Sequence, residues 1–170
     1  MLRRALLAAC LLLAGAAAGV ALHTASTRGD TMFAGTRPVN LGVTDGRLAP
    51  PKKTPNCVSS QADPADAGHH IAPIRYSGGA LEAMATMRRV VEGMQRARVV
   101  KHEPVYLYAE FKSRLMGYVD DVEFLLVEKE GVIHVRSASR LGRRDFEVNR
   151  ERIEAIRARF ESAQRGTLKA

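Results

Sequence analysis

The stretch "VDDVEFLLVEKEGVIHVRSASR" (Val119–Arg140) decides how the chain is read. Its first nine residues alternate, with Asp120, Val122, Phe124 and Leu126 on one side and Asp121 and Glu123 on the other. After the turn "EKEG", Ile133, Val135, Ser137 and Ser139 face one way and His134, Arg136 and Arg140 the other. Two alternating runs joined by four residues form a hairpin, and its apolar sides must coincide. An even loop satisfies that parity, placing Phe124 opposite Val135, Leu126 opposite Ile133, Val122 opposite Ser137 and Glu123 opposite Arg136.

Outward from the hairpin, "VYLYAEFKSR" (Val105–Arg114) alternates in the same manner, with Tyr106, Tyr108, Glu110, Lys112 and Arg114 on the polar side. A four-residue loop "LMGY" sets Lys112 opposite Asp121 and Glu110 beside Glu123. "ARVVKH" (Ala97–His102) is a further short strand, and Ile71–Tyr76 a short extended piece. "SGGALEAMATMRRVVEGMQRA" reads as a helix with Ser77 as N-cap and an inner stripe of Leu81, Met84, Met87, Val91 and Met94. A last helix runs from about Phe146 to Phe160, capped by Asp145, with Asn149, Ile153, Ile156 and Phe160 inward and an Arg150–Glu154 pair outward. The expected fold is α+β: a two-layer sandwich of three to four antiparallel strands with the helices on one face.

The N-terminal part differs in character. "MLRR" followed by the uncharged run Ala5–Leu22 is read equally as a signal peptide and as a retained membrane anchor. Residues 23–40 form a tether and 41–165 a single domain, so the bulk of the chain is expected in the cell envelope, on the periplasmic side of the inner membrane or in the periplasm. "LAAC" imitates a lipidation signal at Cys10, although too little of the apolar run precedes it, and an ordinary h-region residue is the favoured reading. With Cys10 set aside, Cys57 stands alone, which excludes an intrachain disulfide and a zinc site of cysteine pairs.

The net charge of +8 is concentrated at the two ends. Basic ends around a near-neutral middle suit anionic lipid or envelope polyanions. No nucleic-acid partner is expected, given the export signal and the lack of interleaved basic and aromatic residues.

The strand registers assemble two polar groups. Glu110, Lys112, Asp121, Glu123 and Arg136 form an outer ion-pair cluster. Ser113, Asp120, Ser137, Ser139 and Asn149 form an inner polar lock between sheet and last helix, where a carboxylate needs hydrogen bonds to be tolerated. Arg114, Arg136, Arg140 and Arg143 are the candidate ligand-binding residues, because guanidinium forks match phosphates and carboxylates. Register supplies no acidic partner for Arg140, Arg143 or Arg144. Asp121 and Glu123, with alpha carbons on the order of 7 Å apart, have the spacing of a hydrolytic carboxylate pair. Neighbouring cations oppose that role by favouring the charged form. They also oppose a cation site of Asp121, Glu123 and His134, and Cys57 lacks an evident base. No cofactor or metal is expected. The leading expectation is a non-enzymatic, membrane-tethered envelope domain binding an anionic lipid, a glycan or a protein through the arginine-bearing sheet face. The alternatives are a hydrolase using Asp121/Glu123 or Cys57, and a purely structural adaptor.

Three segments, "NLGVTDGRLAPPKKTPNCVSSQA", "YVDDVEFLL" and "VIHVRSASRLGRRDFEVNRERIEAIR", resemble the domain-of-unknown-function family 1499 of bacterial envelopes and plastids. The resemblance runs from about Leu41 to Phe160. It is carried by Pro55, Asn56, Cys57, Ser59 and Ser60, then Ser113 and Arg114, then Asp120, Asp121 and Glu123. It continues through Arg136, Ser137, Ser139, Arg140, Asp145, Asn149, Arg150 and Arg152. It implies no established biochemistry. In that family a cysteine commonly stands where this chain has Pro51, so a redox or metal role for a Cys57 pair is not available here.

Overall fold

The computed structural model describes residues 33–143 and 147–167. The signal or anchor run, Cys10, Arg144 and the Asp145 cap lie outside the described residues.

The elements follow in the order β1 (Val43–Thr44), β2 (Arg47–Leu48), β3 (Cys57–Ser59), β4 (Ile74–Arg75), α1 (Ala80–Glu92), β5 (Ala97–His102), β6 (Tyr106–Lys112), β7 (Val119–Val127), β8 (Val132–Ser139) and α2 (Val148–Thr167). The class is α+β with a large antiparallel sheet. The sheet has six strands rather than three to four, in the order β3-β8-β7-β6-β5, with β4 on β8 as well. The extra strands escape the sequence reading because β3 and β4 are three and two residues long, too short to show alternation. Both pair with β8, β3 at Arg136–Ala138 and β4 at Val132–Ile133.

The β7–β8 hairpin has the expected register, including Glu123 opposite Arg136. Its turn is a single 3-10 turn, Glu128–Glu130, ended by Gly131 in the left-handed region at φ 65. The β6–β7 register is different. Glu110 lies opposite Asp121 and Lys112 opposite Val119, two residues from the expected alignment. Ser113 and Tyr118 close the ladder (Ser113 N–H to Tyr118 O, 2.8 Å), so the loop is Arg114–Gly117. Gly117, at φ 68, takes the left-handed position that ends such a turn. Parity survives because the displacement is even, and every side chain keeps its face.

One core fills the space between sheet and helices. Ala83, Met84, Met87 and Val91 of α1 and Ile153, Ile156 and Phe160 of α2 pack on Leu107, Val122, Phe124, Ile133 and Val135. Each such side chain contributes roughly 1.5–3 kcal/mol by leaving water. Leu81 does not join them and is exposed, one position off the stripe running through 83, 84, 87 and 91. Ser77 is not the cap of α1; Gly79 is, and the Ser77 backbone N–H instead donates to Gln164 Oε1 at 3.1 Å. Arg150 does not pair with Glu154. It binds Glu147 and the carbonyls of Ala67, Gly68 and His70, tying α2 to the loop between β3 and β4.

The other face of the sheet is also covered. Leu41 and Leu48 pack with Tyr106, Tyr108 and Leu125 in a second apolar cluster. Residues 33–48 thus form a strap over the face that strand patterning marks as solvent-facing. Gly35 fits it closely: at φ +67, a Cβ there would meet Arg140 Cβ at 2.9 Å.

Candidate functional site

The polar groups under the strap come from three adjacent strands. Glu123 of β7 is fully buried and Arg136 of β8 is 2% exposed. Arg136 Nη1 donates to Glu123 Oε2 at 3.1 Å, while Tyr106 Oη and the Gly42 backbone N–H each donate to Oε1 at 2.8 Å. Arg136 Nε is buried with no hydrogen-bond partner. Burial and the Glu123 carboxylate together push the Tyr106 phenol far above its ordinary range, so it remains a donor.

Two residues along, Asp121 and Glu110 share Arg140. Arg140 Nη2 donates to Asp121 Oδ1 at 2.7 Å and to Glu110 Oε1 at 2.5 Å, and its Nε donates to Asp121 Oδ2 at 3.0 Å. Tyr108 Oη donates to Asp121 Oδ1 at 2.6 Å. Arg37 from the strap and Arg98 from β5 complete the Glu110 shell at 2.6 and 2.7 Å. The expectation that Arg140 lacks an acidic partner is therefore corrected. Its direct neighbour across the ladder is Val119, but a guanidinium reaches the diagonal residue, here Asp121. Lys112 is not aligned with Asp121, because the β6–β7 register moves it to Val119.

Burial pushes the Glu110 carboxyl upward, but hydrogen bonds from Arg98, Arg37, Arg140 and Tyr108 outweigh it and hold the group at about 2. A folded-state value below the unfolded one makes its contribution complete above the unfolded value near 4.5 and lost as pH falls toward 2. Glu110→Gln should therefore flatten the acid-unfolding curve between those values, as followed by circular dichroism. An unchanged curve would show that the shell does not favour the carboxylate.

On the core side, Asn149 of α2 is the hub. Its Oδ1 accepts from Ser137 Oγ at 2.5 Å and Arg152 Nη1 at 2.8 Å, and its Nδ2 donates to Ser139 Oγ at 2.9 Å and Asn56 O at 3.2 Å. Arg152 also binds Asp120 and stacks over Phe111, with 5.1 Å from guanidinium to ring centroid. Ser113 is not part of this group. It lies exposed in the β6–β7 turn, its Oγ accepting from Tyr118 N–H at 3.0 Å. Asn56 and Arg152 are the members that strand reasoning did not place in the cluster. One comes from an irregular segment, and the other needs the helix docked before its reach is known.

The remaining candidates separate. Arg114 and Arg143 are exposed on turns, and neither has a carboxylate partner among the described residues. Cys57 is buried in β3 without a disulfide. Asp121 and Glu123 are both held by guanidinium groups, which removes the free carboxylate pair that a hydrolytic site requires. Among the described residues no three His, Cys, Asp or Glu groups are placed to hold a metal.

At the opposite end of the sheet, His134 links Ser60 Oγ (Nδ1, 3.0 Å) to Glu130 (Nε2, 3.1 Å). This resembles a nucleophile–base–acid chain. However, Ser60 Oγ also accepts from Val135 N–H at 2.8 Å where β3 leaves the sheet, replacing a ladder bond. The trio borders a groove of about 700 Å³ between the β1–β2 hairpin and the β7–β8 turn, lined also by Arg47 and Gln61.

The arginine-bearing face is thus a filled ion-pair layer under a strap, and its geometry does not leave it open as a ligand surface. No curated protein and no solved structure matches the chain. A family model described as a protein of unknown function, DUF1499, matches residues 47–160, from β2 to the inner stripe of α2. That span contains the whole six-stranded sheet, with the strand residues of the buried ion-pair layer and the Asn149 hub, and the chain belongs to the DUF1499 family.

Proposed function

We propose that the chain is a non-enzymatic domain tethered to the membrane of the cell envelope, on its periplasmic side, with binding chemistry for anionic lipid headgroups. The observation that carries this reading is where the two exposed candidate arginines lie. Arg114 and Arg143 sit on the β6–β7 turn and just beyond β8, at the same end of the sheet, and Arg96 adjoins them through the Lys112 N–H to Arg96 O bond at 3.0 Å. The chain arrives at that end: the Phe33 ring packs on Tyr118 with centroids 5.6 Å apart. The ten residues 23–32 that separate Phe33 from the apolar run ending at Leu22 can span at most about 35 Å. An anchored run therefore keeps this basic end within reach of the headgroups. The sheet-face arginines are excluded from the role because their own carboxylates hold them. Among the described residues no helix is long and apolar enough to cross a membrane, which leaves the run Ala5–Leu22 as the anchoring element of this proposal.

Each basic residue near an anionic surface contributes about 1 kcal/mol, an effect confined to roughly a Debye length. The full chain is to be reconstituted in nanodiscs of phosphatidylcholine with or without phosphatidylglycerol. Amide hydrogen exchange over 113–118 and 140–143 should slow only with the anionic lipid. It should return to the neutral-disc rate in Arg114→Ala/Arg143→Ala or at high salt. Exchange indifferent to phosphatidylglycerol would refute the reading.

A further inference from the structure

We infer that this end of the sheet is a wedge that enters the bilayer, inserting Leu115 and Met116 between the headgroups with Leu141 beside them. The inference rests on the anionic-membrane reading and adds to it a depth and an orientation. Leu115 is 91% exposed, Met116 48% and Leu141 41%. Singly exposed apolar residues are ordinary on protein surfaces. These three are grouped on two adjoining turns, joined by the bond from Arg140 N–H to Val119 O at 3.1 Å.

Their local setting is built for exposure. Ser113 and Tyr118 close the ladder below the loop, and Gly117 at φ 68 turns the chain, so Leu115 and Met116 occupy the apex. Arg114 precedes them and Arg143 lies two residues past Leu141. An apolar apex with flanking cations is the arrangement that places hydrocarbon in the acyl boundary and guanidinium groups among phosphates. The incoming chain reaches both turns, with Phe33 on Tyr118 and Gly35 so close to Leu141 that a Cβ at Gly35 would lie 3.0 Å from Leu141 Cγ. Phe33 and Gly35 thus bring the chain onto the domain at the point of insertion. Seated this way, the domain directs the groove beside His134 away from the bilayer.

The chain contains no tryptophan, so a single introduced indole reports its own position. Leu115→Trp and Lys129→Trp are both exposed substitutions, at opposite ends of the sheet. In full-chain nanodiscs containing phosphatidylglycerol and a nitroxide-labelled lipid, Trp fluorescence of Leu115→Trp should shift to shorter wavelength and be quenched. That of Lys129→Trp should be neither shifted nor quenched. Equal, water-like emission from both variants would overturn insertion. If lipid-dependent slowing of exchange at the turns persisted in that case, the domain would bind electrostatically without a wedge. If the slowing were also absent, the membrane reading would fall with it.

Discussion

Replacing Arg136 with alanine is expected to destabilise the domain by about 3–5 kcal/mol, because it leaves the Glu123 carboxylate buried without its counter-charge. Glu123 is fully buried, and its remaining donors, Tyr106 and the Gly42 N–H, both contact Oε1, leaving Oε2 unserved. For a domain of ordinary stability, about 5–15 kcal/mol, the loss is a large part of the total. The reason lies in desolvation rather than in the strength of the pair. A buried ion pair roughly balances its own desolvation, whereas a lone buried charge does not. Arg136→Met combined with Glu123→Leu should accordingly recover most of the loss in guanidinium unfolding. The unpartnered Arg136 Nε makes this recovery more favourable still, since its burial is uncompensated in the native protein. A single-variant loss below about 1 kcal/mol, the range of exposed pairs, would mean that water reaches the layer beneath the strap.

Asn149→Ala is the second large effect. The amide serves Ser137, Ser139, Arg152 and the Asn56 carbonyl at once, and it is fully buried. Each buried group left unsatisfied costs about 1–3 kcal/mol, and partial rearrangement limits the sum to roughly 2–4 kcal/mol. The position joins α2 to β8 and to the segment before β3, so its loss should loosen that end of the helix before the rest. Hydrogen exchange would register faster opening over 148–153 than over 156–160. Adding Ser137→Ala to Asn149→Ala should cost less than the sum of the two single changes, since they share one network. Strict additivity would mean that the hub does not act as a unit.

These effects follow from contacts that the sequence reveals only in part. Strand alternation is local, arising from the two-residue period of the pleat, so the faces of β6, β7 and β8 were legible. The β7–β8 register was legible too, because "EKEG" leaves little freedom between two long alternating runs. The β6–β7 alignment was not. Parity excludes odd displacements but is indifferent to a shift of two, and the choice fell to Gly117 and the Ser113–Tyr118 closure. That shift moved Lys112 away from Asp121 and brought Glu110 beside it, which in turn created the shared site for Arg140.

Residue patterning is enough to specify an α+β domain, the residues on each side of its central strands, and two polar groups, one facing the helices and one facing away. That the second group is buried becomes visible only in the packed chain. Residues 33–48 have no periodicity to announce where they pack, yet they cover the arginine-bearing face and place Arg37, Leu41, the Gly42 N–H and Leu48 upon it. Burial belongs to the assembled chain, not to a strand pattern. It turned Arg136 and Arg140 from candidate ligand contacts into partners of Glu123 and Asp121, and left Arg114 and Arg143, on exposed turns, as the two candidates that no carboxylate among the described residues holds.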